Sequence, residues 1–238
     1  AIGSALALKL GEMAMFWSST IMGLGSVLLV WNMKETLKTP KPFNTSMLKV
    51  SWVEIFEPRV IRPAIILILT STAFGIVLTL TPDLSKHLGL ENKGLFFTIF
   101  TISSLSMRFL AGKASDKYGR VAILRISSFV LGLAMFLLAT ANALPQLYIA
   151  GVLFGIGVGM NSPTVFAWAV DLSEPRYFGR ALATVYIALE IGIGGGALLG
   201  GWLYANNPNN FFISFLAISI LCFSAFIYLV FRRSKVSI

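Results

Sequence analysis

Seven apolar runs of about 20 residues constrain the fold of this chain more than any other feature. They cover approximately residues 13–33, 62–82, 93–112, 121–142, 145–171, 178–204 and 211–231. An α-helix rises about 1.5 Å per residue, so each run is long enough to cross roughly 30 Å of hydrocarbon. Charged residues make up only 12% of the chain, about half the share found in soluble proteins. The sequence therefore predicts an all-α fold, a polytopic membrane helical bundle.

Lysine and arginine are distributed unevenly between the connections. Sixteen of the 19 basic residues fall in alternate polar segments, at 34–62, 108–125, 172–180 and 232–235. The remaining three are Lys9, Lys86 and Lys93. By the positive-inside rule, the first set of segments is cytoplasmic and so is the C-terminus, which predicts a multi-pass protein of the inner or plasma membrane. This topology accounts for the net charge of +9, and we expect no nucleic acid partner.

The segment 34–61 is the only long polar connection. Its second part, Met47 to Phe56, carries apolar residues at helical spacing. This pattern predicts a short amphipathic helix on the inner leaflet. The alternative is an ordinary solvated loop.

A dense patch of charge and glycine separates two of the apolar runs. Its fixed positions are Arg108, Gly112, Asp116, Gly119 and Arg120. The patch from Gly112 to Arg120 is predicted to form a tight turn in water or headgroups. Its spacing, R-x3-G-x3-D-x2-G-R, resembles the signature loop of the major facilitator superfamily of secondary transporters.

The resemblance implies a domain organisation for the whole chain. Residues 1–33 match the end of the N-terminal half, as a remnant of helix five followed by helix six. Residues 34–61 match the central cytoplasmic loop, and residues 62–238 match the C-terminal six-helix half, helices seven to twelve. The chain is then a fragment, and we expect the missing N-terminal half of the same protein to be its partner.

The resemblance also implies a cytoplasmic gate. In the family, the aspartate and arginine at the positions of Asp116 and Arg120 help to latch the cytoplasmic side. The next cytoplasmic turn carries further charges that are candidates for the same ion-pair network, namely Asp171, Glu174, Arg176 and Arg180. The alternative is a pair of solvated charged loops that only set topology.

The run 178–204 contains small residues at intervals of about four. Gly192, Gly196, Ala197, Gly200 and Gly201 resemble the helix-five antiporter motif of the family, with Ala197 replacing its proline. Small residues with this spacing let two helices approach closely in lipid. We therefore predict helix packing at these glycines. Whether the motif also indicates an antiporter stays open. The same packing is expected at Gly151, Gly155 and Gly159.

Glu190 is the one carboxylate placed near the centre of a span. An ionised group at that depth costs about 2.5–3.5 kcal/mol, so its neutral form is favoured unless it is paired or hydrated. We hypothesise that Glu190 takes and releases a coupling proton. The alternative is a structural hydrogen bond to a neighbouring helix.

Pro163 interrupts the hydrogen bonding of the run 145–171. Irregular backbone within a membrane is tolerated inside protein or beside a water-filled cavity. In the family, helices seven and ten, which correspond to the runs 62–82 and 145–171, line the central cavity. The resemblance therefore implies substrate contacts at Thr72, Phe74, Asn161, Thr164, Trp168 and Tyr186. The alternative is a kink that only improves packing.

The sequence shows no metal-ligand cluster, nucleotide-binding loop or nucleophile motif, so we predict neither an enzyme nor a cofactor or metal site. The single histidine, His87, is assigned no role. The resemblance implies transport of a small solute by alternating access. The glycine pattern of the run 178–204, which corresponds to helix eleven of the family, favours proton-coupled efflux. The expected partners are a small-molecule substrate, protons and the lipid bilayer. Two alternatives remain: a symporter or uniporter that imports sugar or organic acid, and a non-transporting scaffold or sensor.

Overall fold

The computed structural model of the chain describes residues 10–31, 33, 44, 55–90, 92 and 94–231. Within these residues seven α-helices are long and apolar enough to cross a membrane. They are α1 (Glu12–Trp31), α2 (Ile61–His87), α3 (Gly94–Tyr118), α4 (Arg120–Ala139), α5 (Leu144–Leu172), α6 (Phe178–Tyr204) and α7 (Phe211–Phe231). The predicted all-α membrane bundle is therefore confirmed for the described part of the chain.

Two compact units make up the chain, residues 1–51 and residues 52–238. The first unit contains α1, an apolar helix without buried residues. The predicted remnant of helix five and most of the predicted amphipathic helix lie outside the described residues. The second unit contains α2 to α7 and all the contacts considered below.

The helices of the second unit run alternately up and down between two ends. α2, α4 and α6 begin at one end, where α3, α5 and α7 finish; the Arg120–Asp171 ion pair joins two of these termini. We call it the basic end, because Arg59, Arg62, Lys117 and Arg176 also lie there. At the opposite end the His87 ring lies 5.7 Å from the ring of Phe211. Each buried face is thus shared between helices that are neighbours in space but not always in sequence.

Two predicted helix ends differ from the structure. The run 62–82 predicts a helix that ends near Pro82, but α2 continues through it to His87. Proline removes only one intrahelical bond, and a membrane helix tolerates it when neighbouring helices and hydroxyl side chains surround the freed carbonyl. Likewise α3 continues through Gly112 to Tyr118. The predicted turn is therefore a single residue, Gly119, whose φ of 89° lies in the left-handed region that favours glycine.

Glycines bring α2 and α6 into close contact. A Cβ atom on Gly196 would lie 2.1 Å from the Thr72 carbonyl oxygen, and one on Gly75 would lie 2.0 Å from the Ile193 carbonyl oxygen. Gly192 and Gly200 face α2 in the same way. Three of the four predicted packing glycines thus lie at a close helix contact. The exception is Gly201, which lies about 100° around the helix from Gly200 and has open space at its Cβ position in the described structure.

Close packing at glycines also joins α3 and α5. Cβ atoms on Gly155 and Gly159 would lie 2.5 Å from the carbonyl oxygens of Phe100 and Ser104, respectively. A Cβ atom on Gly151 would contact the ring of Phe96. All three glycines of the predicted packing face of α5 therefore face α3, and this contact sets the height of α3 relative to α5.

The two largest buried apolar clusters of the second unit lie at different heights. The larger one lies toward the opposite end and includes Phe96, Met135, Phe154 and Phe215. The smaller lies toward the basic end and includes Val60, Leu124, Val165, Ala181 and Leu229. Between them, at mid-height, lies a layer of buried polar side chains that positions the candidate site: Thr70, Ser71, Ser127, Ser128 and Asn161.

Candidate functional site

Asn161 is the centre of the polar layer. Its side chain is 4% exposed. Its Nδ2 donates to Ser127 Oγ at 3.2 Å, and its Oδ1 accepts from Thr70 Oγ1 at 3.2 Å. These bonds connect α5 with α4 and α2. A buried amide without partners costs several kcal/mol, on the order of 2–7 depending on the reference state, so the bonds allow asparagine at this depth.

A cavity of about 190 Å³ opens beside this layer. It is lined mainly by α2, α5 and α6, with one residue each from α3 and α4. Its polar lining consists of Thr70, Ser71, Arg108, Asn161 and Ser162. Phe74 closes one side and packs against Phe100 and Phe154, with ring centroids 6.0 and 6.2 Å away. The cavity thus combines an aromatic wall with a polar one.

The structure brings only some of the predicted substrate residues to this cavity. Phe74 and Asn161 line it. Thr72 is buried where α2 meets Gly196, and Thr164 is buried with its hydroxyl donating to the Met160 carbonyl at 2.7 Å. Neither threonine is among the described residues that line the cavity.

The two aromatic residues in the predicted set lie away from the cavity lining. Trp168 is half-buried and packs against the apolar cluster near the basic end. Tyr186 is exposed, and its ring lies 4.8 Å from that of Phe166. They occupy the part of α5 and α6 between the cavity and the basic end.

Arg108 and Ser162 were not predicted to line the cavity. Arg108 was assigned to the signature loop, yet its side chain is the one charged group among the described lining residues. The sequence contains a usable signal, because Arg108 lies inside the apolar run 93–112. In the structure it precedes the end of α3 by ten residues. At about 1.5 Å per residue this places it roughly 15 Å inside the helix.

Glu190 lies close to the middle of α6, and in sequence it stands between Leu189 and Ile193, which line the cavity, whereas Glu190 is not among the described lining residues. Its side chain is exposed, and no hydrogen bond or ion pair joins it to another residue in the described parts of the chain. α6 stays helical through Ala197, the position of the proline in the antiporter motif. The carboxylate is therefore open to water, a ligand or a proton.

At the basic end, Arg120 joins three helices. Its guanidinium contacts Asp116 at the end of α3 and Asp171 at the end of α5, the latter at 2.8 Å. It also donates to Ser115 Oγ at 2.7 Å. Both carboxylates in this cluster belong to the predicted gate network.

A second ion pair at the basic end involves a residue that the sequence did not single out. Arg59, just before α2, pairs with Glu174. The guanidinium groups of Arg176 and Arg180 lie 5.6 and 4.8 Å from the ring of Tyr177. The predicted charged residues thus divide between two ion-pair clusters and one aromatic contact.

A polar cavity of about 400 Å³ lies at the opposite end. Asp83, Lys86 and His87 line it from α2, and Tyr204 and Phe211 line it from α6 and α7. Across the described residues, no group of three or more His, Cys, Asp or Glu side chains could hold a metal ion.

Sequence comparisons relate this arrangement to known proteins. The chain is 37% identical over 93 residues to the Multidrug resistance protein B homolog of Mycobacterium tuberculosis, covering 39% of this chain and 17% of that protein. It is 34% identical over 109 residues to the 3-(3-hydroxy-phenyl)propionate transporter of Escherichia coli, covering 45% and 27%. It is 25% identical over 178 residues to Multidrug resistance protein 2 of Bacillus subtilis, covering 70% and 44%. The chain therefore spans less than half the length of these relatives.

The family comparison covers more of the chain. The profile of the Major Facilitator Superfamily matches residues 64–237, which include all of α3 to α7 and nearly all of α2. This match points to a transport protein and away from an enzyme, as the sequence predicts. Since it extends over most of the 238 residues, the chain belongs to the Major Facilitator Superfamily.

Proposed function

We propose that the chain is part of a secondary transporter that exports a small solute across the inner or plasma membrane in exchange for protons. Solute sites in such proteins lie near the bilayer midplane, between two halves that rock around them. The mid-height cavity of the six-helix unit fits that position. The names of two relatives, both multidrug resistance proteins, support export.

The proposal assigns a place to each segment. Residues 62–238 form the C-terminal half, helices seven to twelve, and residues 34–61 form the central cytoplasmic loop. Residues 1–33 form the end of the N-terminal half, and the rest of that half supplies the other wall of the cavity. The basic end and the C-terminus face the cytoplasm, because the basic end holds most of the described arginines and lysines.

The ion pairs at the basic end act as the cytoplasmic gate in this scheme. Arg120 ties Asp116 to Asp171, and Arg59 ties the segment before α2 to Glu174. Exposed ion pairs contribute only about 0–1 kcal/mol each. The network therefore biases the equilibrium between inward-open and outward-open states rather than locking one of them.

The observation that carries proton coupling is the position of Glu190. A carboxylate lies in the middle of a membrane helix, in sequence between two cavity-lining residues, without a partner in the described structure. Ionisable groups at this depth are costly and mark substrate or ion pathways. Protonation of Glu190 neutralises its carboxylate when the cavity closes. Proton binding is thereby coupled to the transport cycle.

Proteoliposomes containing the full-length protein test this role. Glu190→Gln keeps the shape of the side chain but cannot titrate, so we expect solute exchange to continue while uphill transport driven by a pH gradient is lost. Asp83→Asn, an exposed carboxylate at the opposite end, is the matched control and should behave as wild type. Uphill transport by Glu190→Gln with an unchanged pH profile would rule out the proton role.

A second candidate is import of an organic acid by proton symport. Two observations favour it: the positive charge of Arg108 in the cavity, and the printed substrate of the Escherichia coli relative, a hydroxyphenylpropionate. Accumulation in right-side-out vesicles under an inward proton gradient supports import. Accumulation in everted vesicles with an acidic interior, where protons leave the vesicle as solute enters, supports export by antiport.

A further inference from the structure

The mid-height cavity contains a charge that the proposed cycle does not use. Arg108 lines the cavity about 15 Å from the end of α3, by the helical rise. No hydrogen bond or ion pair of Arg108 occurs within the described residues. Since cations at this depth are expensive unless paired or hydrated, Arg108 requires an anion or water beside it.

Packing fixes the height of Arg108 relative to the other cavity residues. Gly159 of α5 sits against Ser104 and Met107 of α3. Ser162 follows Gly159 on α5 and Arg108 follows Met107 on α3, and the two helices run in the same direction. Arg108 and Ser162 therefore lie at about the same level. Both residues line the cavity, and the Ser162 hydroxyl has no hydrogen bond to another described residue. A guanidinium and a hydroxyl can therefore donate to the same ligand.

The remaining polar groups are less available. The Thr70 hydroxyl shares its one proton between Asn161 Oδ1 and the Ile66 carbonyl, which lies 2.8 Å away, and the Ser71 hydroxyl donates to the Leu67 carbonyl at 2.6 Å. Asn161 already bonds Thr70 and Ser127. The free donors thus lie on the Arg108 side of the cavity, while Phe74 provides an apolar wall.

The size of the cavity limits the apolar part of a ligand. Its volume is about 190 Å³, and an apolar cavity of roughly 150 Å³ accommodates benzene. One ring with a small charged substituent fits this space. The guanidinium matches the geometry of a carboxylate, which it binds through two parallel hydrogen bonds.

We propose that Arg108 is the anion-binding residue of this cavity and that the transported solute is a small organic anion with a ring-sized apolar body. The inference rests on the proposed transport function, because it assumes that the cavity holds the solute. It applies to export and import alike. Ser162 donates a further hydrogen bond to the carboxylate, and Phe74 contacts the ring.

Benzoate and benzamide, which share a shape and differ in charge, provide the test. The detergent-purified full-length protein is titrated with each compound, and its melting temperature gives an apparent affinity. We expect wild type to bind benzoate more tightly than benzamide. Arg108→Gln should weaken benzoate at least about tenfold, as expected for the loss of a charge-assisted hydrogen bond, and should leave benzamide unchanged. Arg108→Lys should retain part of the preference.

Lys117→Gln is the control, because it removes a positive charge from the exposed end of the same helix. It should leave both affinities at the wild-type value. Three results would overturn the proposal: equal affinity of wild type for the two compounds, no response to either, or an unchanged benzoate preference in Arg108→Gln. If Arg108 pairs with a carboxylate elsewhere in the protein, Arg108→Gln lowers the melting temperature without ligand and keeps the benzoate preference, which also overturns it.

The outcome is separable from that of the transport experiment. Binding is measured in detergent without a gradient, so loss of anion preference does not depend on proton coupling at Glu190. Conversely, a transporter that shows proton-driven flux but no charge preference would retain the proposed function and lose only the anion proposal.

Discussion

Gly196 and Gly201 are five residues apart on α6, but only Gly196 contacts another helix in the described structure. Helical spacing separates them, because Gly192, Gly196 and Gly200 are four residues apart and share one face, whereas Gly201 begins the next face. The sequence motif predicts packing at all four glycines. A helical projection of the same residues predicts the packing that the structure shows.

We expect Gly196→Val to lower the melting temperature of the purified protein by several degrees. The new side chain meets backbone atoms of Thr72 at 2.1 Å, which cannot rotate away, and overpacking costs about 1–3 kcal/mol or more. The matched variant Gly201→Val adds the same side chain where the described structure leaves open space. Equal losses in the two variants would contradict this packing assignment.

Arg108 shows what residue identity alone leaves undecided. The signature pattern assigns Arg108 to a loop, because the pattern fixes the spacing of its residues but not the position of the helix end. The structure extends α3 to Tyr118, so the arginine lies inside the helix and lines a cavity. Glycine, lysine and serine are compatible with both a helix and a turn, which is why the sequence did not decide the boundary.

At the scale of the elements, the segment before α2 (residues 55–60) is held against α6 by the hydroxyl of Thr184. Thr184 accepts a hydrogen bond from the Glu57 backbone N–H at 2.9 Å, and its hydroxyl lies 3.0 Å from the Ile55 carbonyl oxygen. Glu57 and Thr184 are 127 positions apart. No local pattern predicts such a contact, because it depends on which face of α6 is turned toward the segment.

Thr184→Val should loosen this segment while leaving the helices intact. Losing a hydrogen bond of this kind typically costs about 1 kcal/mol, so the segment detaches several times more often. Trypsin should then cut after Arg59, which is exposed, faster than in wild type.

Thr101→Val is the matched control for this cleavage experiment. It makes the same substitution at an exposed position of α3, where the hydroxyl donates to the Phe97 carbonyl of its own helix at 2.7 Å. The described structure shows no bond from Thr101 to the segment before α2, so this variant should be cut at the wild-type rate. Faster cleavage in both variants would mean that Thr184 has no special role.

At the scale of the whole molecule, the alternation of helices predicts that Lys86 and Lys117 lie on opposite sides of the membrane. They lie at opposite ends of the six-helix unit and are both exposed. A cysteine at either position should react with an impermeant maleimide from one side only: Lys86→Cys in intact cells and Lys117→Cys in everted vesicles. The native thiol, Cys222, is buried, and Cys222→Ser removes any background. Labelling of both positions from the same side would contradict the topology.

The sequence by itself determined the membrane class, the number of long helices and the family resemblance, because hydrophobic length and fixed motif spacing are properties of consecutive residues. It also placed Glu190 near the middle of a span, where the structure has it. Tertiary structure alone decided which polar groups meet: the bonding of Asn161 with Thr70 and Ser127, the pairing of Arg59 with Glu174, and the position of Arg108 in the cavity. These contacts join residues that are distant in sequence, and their geometry follows from how the helices pack against one another.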